Sequence, residues 1–223
     1  MDILYRKILI PPASPPPLAN GVNIYPQMLN FCKIIQLLIL MRLFIGIQLS
    51  DPVKTKLCEL CRDLKKDAPK IRWIKEDNIH VTLKFLGETD KKDQIIDILK
   101  NKVSTPKFRL EFQGLGSFGK GLDLRILWAG IGACEELATL FNEIESALES
   151  LEFPRETRRF SPHITLGRNK QGRINEAFSE KIHRLSDHEF GVEDVTSFQL
   201  ISSTLKLSGP TYKTLADFKL SSH

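Results

Sequence analysis

The most reactive side chains of the sequence occur in two short phrases that share one pattern, a histidine followed two positions later by a threonine. The phrases are His80-Val81-Thr82-Leu83 and His163-Ile164-Thr165-Leu166. Histidine can donate or accept a proton near neutral pH because its ordinary pKa is about 6.5. A reaction that deprotonates a nucleophile and protonates a leaving group needs two such groups in opposite protonation states. Two histidines with two hydroxyls that can bind anionic oxygen therefore indicate a phosphoester-cleaving cleft.

Both phrases are predicted to form β-strands. Each lies in a run of β-branched and apolar residues, 79–86 and 161–166, that is closed by Gly87 or Gly167, which is typical of a strand that ends in a turn. Because side chains alternate along a strand, each histidine shares a face with its threonine, and the aliphatic neighbours face the core. A single His-x-Thr is most often a half-buried histidine with a local hydrogen bond. The repeat in a chain with only five histidines favours chemistry.

Composition sets the class of protein. The 223 residues are 42% hydrophobic and 26% charged, which is typical of a soluble globular protein. The formal net charge of +5 permits an anionic substrate but does not indicate a duplex-binding surface. Four cysteines are too few for a disulfide framework in a chain of this length, so we expect a reducing, cytoplasmic location.

The N-terminal 40 residues differ from the rest. Half of the twelve prolines fall between Pro11 and Pro26, and such a segment cannot hold a helix or a central strand. The apolar stretch 31–49 is interrupted by Lys33 and Arg42 and is followed by no small-residue cleavage site, so we expect no stable membrane association. We predict that residues 1–40 are an extension outside the fold and that one domain spans residues 41–220.

Hydrophobic periodicity predicts an α+β fold with the element order β-α-β-β-α-β-β-α-β-α-β-β. The predicted helices cover residues 51–67, 91–103, 135–151 and 174–185, and the predicted strands cover 42–49, 71–74, 79–86, 108–112, 124–130, 161–166, 195–207 and 211–220. Each half contains one histidine strand. Two such halves around a shared groove would place the sheets inside and the helices outside.

A glycine-rich segment matches the letters of a dinucleotide-binding fingerprint. It reads Gly114-Leu115-Gly116-Ser117-Phe118-Gly119. That fingerprint works only where a helix follows and receives the pyrophosphate at its N-terminus, and here a strand-like run follows instead. We interpret the segment as a long hairpin connection and expect no nicotinamide or flavin cofactor.

Basic residues flank the second motif. Arg155, Arg158 and Arg159 precede it, and Arg168 and Lys170 follow it. They would raise the positive potential where a phosphate binds. Arg168 is favoured as a ligand because its planar guanidinium at the strand end could contact two phosphate oxygens at once. For Arg155 and Arg158, a solvated basic loop is an equally good interpretation.

These motifs resemble those of the 2H phosphoesterase superfamily, and within it those of the LigT-like RNA 2′,3′-cyclic phosphodiesterases. Trp73-Ile74 and the segment 78–88 resemble the first motif of that group with its flanks, and the segment 160–168 resembles the second. The resemblance covers residues 41–220.

The resemblance implies a bilobal α+β fold, with two pseudo-symmetric lobes whose antiparallel sheets line a central cleft and whose helices lie outside. It implies an RNA or nucleotide that ends in a 2′,3′-cyclic phosphate, opened by water to a 2′-phosphomonoester without a metal or cofactor. His80 would be the proton donor and His163 the proton acceptor, while Thr82, Thr165 and Arg168 would bind the phosphate. We further expect a monomer.

Two alternatives to this hydrolase stay open on the sequence. The same motifs could hold a nucleotide or RNA phosphate without turnover, in a non-catalytic binding module. They could also cleave another diester, such as a 2′,5′-linked oligonucleotide or a cyclic phosphate of ADP-ribose. Some members of the family join tRNA halves through a 2′,5′ linkage, but the resemblance does not imply that reverse reaction for this chain.

Overall fold

The computed structural model describes residues 40–170, 172–207 and 209–222. Residues 42–223 group into one compact unit. The predicted N-terminal extension lies, apart from Leu40, outside the described residues. Within the described ranges no helix is both long and apolar enough to cross a membrane.

The four longer helices of the described residues agree with the predicted ones to within a few residues. They are α1 (Asp51–Asp67), α2 (Lys92–Lys102), α3 (Glu135–Glu149) and α4 (Glu176–Arg184), with a short 3-10 turn at Glu76–Asn78. Helix α1 begins directly after Ser50 and has Pro52 in its first turn, where a missing backbone N–H has no cost. Helix α3 buries Leu137, Leu140, Ile144 and Leu148 at helical spacing.

Nine strands form two separate sheets in the described part of the chain. The strands are β1 (Met41–Gln48), β2 (Arg72–Trp73), β3 (His80–Thr89), β4 (Phe108–Lys120), β5 (Asp123–Ile131), β6 (His163–Arg168), β7 (Glu189–Val195), β8 (Ser197–Lys206) and β9 (Gly209–Lys219). The first sheet has the order β3-β1-β8-β9, and the second has the order β2-β6-β5-β4-β7. Six strand pairs have a defined register in the described residues, and all six are antiparallel. Three of these pairs involve β4 or β5.

The two histidine strands belong to different sheets and meet where the sheets approach each other, since β3 contacts β6. Val81 and Leu83 in β3 are buried, as are Ile164 and Leu166 in β6. The alternation predicted for both motifs is therefore confirmed. The predicted α+β architecture, with antiparallel sheets inside and helices outside, is confirmed as well.

Two parts of the predicted element order are wrong. Strand β7 was not predicted, because its sequence Glu189–Val195 carries three acidic residues and a glycine and buries only Phe190 and Val195. The glycine-rich segment is not a connection: β4 continues through it to Lys120, which pairs with Asp123 of β5. Gly116 makes this possible because the ring of Trp128 occupies the place that a Cβ atom would need.

A buried ion pair joins the first histidine strand to the approach to the second motif. Lys84 in β3 donates to both carboxylate oxygens of Glu145 in α3, at 2.7 and 2.9 Å, and to the carbonyl of Pro154 at 2.8 Å. Glu145 also accepts the backbone N–H of Glu156 at 3.0 Å. Both side chains are almost fully buried. The pair therefore fixes β3, α3 and the segment 154–156 relative to one another.

We expect Lys84→Met to lower the free energy of unfolding by about 3–5 kcal/mol, because it leaves the Glu145 carboxylate buried without its cation. The double variant Lys84→Met with Glu145→Leu should regain much of that loss, since it removes both charges. Urea denaturation with a constant m value measures both effects. A double variant that is less stable than the single one would contradict this account of the pair.

Candidate functional site

His80 is held by its own strand and by the turn before it. Its Nδ1 lies 2.7 Å from the carbonyl oxygen of Asn78, and its Nε2 lies 2.9 Å from the hydroxyl of Thr82. A carbonyl oxygen can only accept, so Nδ1 carries the hydrogen. In the neutral ring Nε2 therefore accepts the proton of the Thr82 hydroxyl. The buried Asn78 is itself fixed, because its amide donates to the carbonyl of Pro210 at 2.9 Å.

Two aromatic rings enclose the His80 imidazole. Phe44 of β1 lies 4.9 Å from it between ring centroids, and Tyr212 of β9 stands edge-on to it at 5.3 Å. Removal from water lowers the pKa of His80 below its ordinary value, and the positive charges of Arg168 and of protonated His163 lower it further, against an opposing effect of the Asn78 carbonyl. In the free protein, His80 is therefore poised toward its neutral form.

His163 repeats the same arrangement in the second sheet. Its Nδ1 lies 2.8 Å from the carbonyl oxygen of Ser161, two residues before it, as Asn78 is before His80. The ring stands edge-on to Phe118 of β4 at 5.0 Å. The carbonyl again fixes the hydrogen on Nδ1. Its Nε2 has no hydrogen-bond partner among the described residues and is free to accept a proton.

A β-bulge brings Arg168 onto the face of the histidine. Simple alternation from His163 would place Arg168 on the opposite face of β6. The register of β6 against β5 instead shifts between Leu127 and Trp128, so that Gly130, Trp128 and Ile126 oppose His163, Thr165 and Arg168. The three β5 residues are two apart and share a face, so their three partners share it too.

The site combines both sheets. Thr82 and His80 come from the first, and Thr165, His163 and Arg168 come from the second. The charges of Arg168 and His163 reach His80, and the charge of Arg168 also reaches Tyr212. Three of the residues predicted to form one site, His80, His163 and Arg168, are therefore close enough to interact electrostatically across the two sheets.

Sequence reasoning missed four aromatic residues around the histidines. They are Phe44, Tyr212, Phe118 and Trp128. Phe118 lies in the glycine-rich segment, and its place beside the second histidine depends on β4 continuing as a strand. Nothing in the sequence around Tyr212 distinguishes it from the other aromatic residues of the alternating strands.

Two of the three basic residues before the second motif, Arg155 and Arg158, are paired with acids. Arg155 binds Glu149 at 3.0 Å and also the hydroxyl of Ser146, and Arg158 binds both oxygens of Glu156. These contacts fit the interpretation of a solvated basic loop for both arginines. Within the described ranges, His, Cys, Asp and Glu side chains form no group of three that could hold a metal ion.

The fold and the site define a class of protein: a two-sheet α+β domain with one histidine–threonine motif on each of two strands that meet. A family model described as the 2′-5′ RNA ligase superfamily matches residues 55–203. The chain belongs to this superfamily, and its resemblance to the 2H phosphoesterases is confirmed.

Curated relatives and solved structures agree with this assignment. A Thermotoga maritima protein named RNA 2′,3′-cyclic phosphodiesterase is 34% identical over 78% of this chain and 93% of its own length. An Archaeoglobus fulgidus protein of the same name is 31% identical over 80% of this chain and 100% of its own length. The apo structure of E. coli LigT matches with a TM-score of 0.66 and 26% identity, over 82% of this chain and 98% of LigT. The predicted family and fold are thus confirmed.

We expect the variant Arg168→Gln to raise the pKa of His80, because it removes a positive charge that disfavours the imidazolium ion. NMR titration of the histidine ring resonances measures the change. Arg125→Gln is the matched control, since Arg125 lies on a neighbouring strand and pairs with Asp123. Equal effects of the two variants on His80 would show that Arg168 has no special influence on this ring.

Proposed function

We propose that this protein hydrolyses the 2′,3′-cyclic phosphate at the end of an RNA or nucleotide to a 2′-phosphomonoester. The observation that carries the proposal is the repeated His-x-Thr arrangement, with each histidine held at Nδ1 by a carbonyl and with Arg168 turned onto the same face as His163. The names of the curated relatives support it.

The geometry suggests a role for each residue. His163 accepts a proton from the attacking water at its free Nε2, and His80 donates a proton to the departing 3′-oxygen. Thr82, Thr165 and Arg168 bind the remaining phosphate oxygens. Charge builds on the attacking and leaving oxygens in an in-line displacement, so an acid and a base on opposite sides of phosphorus act together.

Substrate binding favours the charged form of the proton donor. In the free protein, burial and the positive charge of Arg168 lower the pKa of His80. A bound phosphate anion beside Arg168 offsets that positive charge and raises the pKa of His80 again. When Nε2 of His80 is protonated it no longer accepts from Thr82, so the Thr82 hydroxyl is free to turn its hydrogen toward a phosphate oxygen.

We expect His80→Ala and His163→Ala each to lower kcat by about 10²–10⁴-fold, because each removes one partner in proton transfer. Turnover of a nucleoside 2′,3′-cyclic phosphate in EDTA, with identification of the product isomer, is the measurement. His183→Ala is the matched control, since His183 is exposed on α4. Unchanged turnover in either site variant, or loss of wild-type turnover in EDTA alone, would contradict the metal-free two-histidine mechanism.

We expect a bell-shaped dependence of rate on pH, with limbs that belong to the histidine pair jointly. Loss of the donor proton makes the rate fall on the alkaline side. Because substrate raises the pKa of His80, this limb should lie at higher pH in kcat than in kcat/KM. Steady-state kinetics between about pH 5 and 9 test this, and a flat profile or coincident alkaline limbs would argue against His80 as the donor.

The lowered pKa of His80 also favours a second candidate, a non-catalytic module that binds a nucleotide or RNA phosphate. A neutral His80 has no proton to give to a leaving group, while Thr165 and Arg168 could still bind a phosphate. Binding of a nucleoside 2′-phosphate, with no turnover of the cyclic phosphate, would support this candidate. The monomeric state and the cytoplasmic location stay predictions.

A further inference from the structure

A second arginine lies directly beside Arg168. In the ladder between β2 and β6, Arg72 is the partner of Arg168. Directly opposed residues of an antiparallel pair point to the same side of the sheet. Since the bulge in β6 places Arg168 on the face of His163 and Thr165, Arg72 shares that face.

No acidic side chain neutralises these two arginines. Both are exposed, and neither guanidinium has a hydrogen bond or ion pair with any described residue. The contrast is Arg109 in β4, which opposes Asp194 in β7 and binds it at 2.9 and 3.3 Å. Like charges placed directly opposite each other disfavour the sheet unless an anion lies between or beside them. The Arg72–Arg168 pair therefore indicates a binding site for anions.

Arg72 also reaches from the second sheet to the first. Its Nη2 lies 3.1 Å from the position that a Cβ on Gly209 would take, at the start of β9. Glycine suits this position because its φ is +110° and because it leaves room for the guanidinium. Three residues further along β9 is Tyr212, whose pKa burial raises while the charges of Arg168 and Arg42 act in the opposite direction. Arg72 therefore lies near the part of β9 that carries Tyr212, the ring beside His80.

We propose that Arg72 binds the phosphate on the 5′ side of the terminal nucleotide while Arg168 contacts the cyclic phosphate. This inference rests on the proposed function and refines its substrate: the site is built for the end of a single-stranded RNA chain, not only for a nucleoside cyclic phosphate. A guanidinium holds a phosphate through two parallel hydrogen bonds and reads no base. The contact therefore raises the affinity for a longer RNA chain but adds no preference for a particular base.

Two substrates with the same reacting group test the role of Arg72. One is a nucleoside 2′,3′-cyclic phosphate, which has no 5′ phosphate, and the other is a short oligoribonucleotide that ends in the same cyclic phosphate. Arg72→Gln should raise KM for the oligonucleotide about tenfold, the effect of one charge-assisted contact, and should lower kcat/KM for the nucleoside far less. Arg62→Gln is the control, since Arg62 is an exposed arginine on α1 whose guanidinium lies 4.0 Å from Glu59.

Equilibrium binding separates this inference from the reaction. Probes are the oligoribonucleotide that ends in a 2′-phosphate and the matching nucleoside 2′-phosphate. Arg72→Gln should weaken binding of the oligonucleotide much more than binding of the nucleoside 2′-phosphate. For the oligonucleotide, it should lower the slope of log Kd against log salt by about 0.7, the value for one phosphate of a single strand. Arg72→Lys should keep that slope but lose part of the affinity, because lysine lacks the planar fork.

Each other outcome has a defined meaning. If Arg72→Gln lowers the affinity for both probes equally, the inference is overturned. Arg72 would then contact the cyclic phosphate or stabilise the fold. Unchanged oligonucleotide binding in Arg72→Gln would overturn it as well. If the wild type binds the oligonucleotide through Arg72 but cleaves neither substrate, the role of Arg72 stands and the proposed hydrolysis fails. If the wild type binds neither probe, both fail.

Discussion

The hydrogen bond from the Nδ1 of each histidine to the carbonyl two residues before it is the interaction on which the site depends. At 2.7 and 2.8 Å, these bonds fix which nitrogen carries the hydrogen and how each ring is turned. A backbone acceptor adds no charge, so the ring keeps its freedom to gain or lose a proton at Nε2. The acceptor of His80 is held in turn, because the side-chain amide of Asn78 ties the turn before β3 to Pro210 in β9.

The rest of the fold brings together the two histidines, each with its carbonyl acceptor. Among the described residues, no acidic side chain is placed at the Nε2 atoms that transfer protons. Each histidine strand lies in its own sheet, and the buried Lys84–Glu145 pair connects β3 to the segment that leads into β6. The positive charge that acts on His80 is that of Arg168, and His163 adds to it only in its protonated form. Such a surface attracts a phosphate anion, and the bound anion offsets its positive charge. The same interaction therefore binds the substrate and raises the pKa of the proton donor.

Much of this arrangement could be predicted from the sequence, because it depends on local patterns. The helices, both histidine strands and their buried aliphatic faces follow from periodicity alone, as with Val81 and Ile164. What could not be predicted depends on pairing between strands. The bulge that turns Arg168, the continuation of β4 through Gly116 and the opposition of Arg72 to Arg168 are properties of register, and register is set by tertiary contacts.

The two halves of the site are similar in motif but not in environment, and the difference separates their roles. The hydrogen bond of His80 is partly buried, its ring lies against Phe44 and Tyr212, and Thr82 occupies its Nε2. The corresponding bond of His163 is exposed, and its Nε2 is open among the described residues. A ring that faces solvent can meet the attacking water directly. The enclosed ring of His80 becomes charged only beside a bound phosphate, so it holds its proton until a leaving group is present. This behaviour suits the acid of the pair.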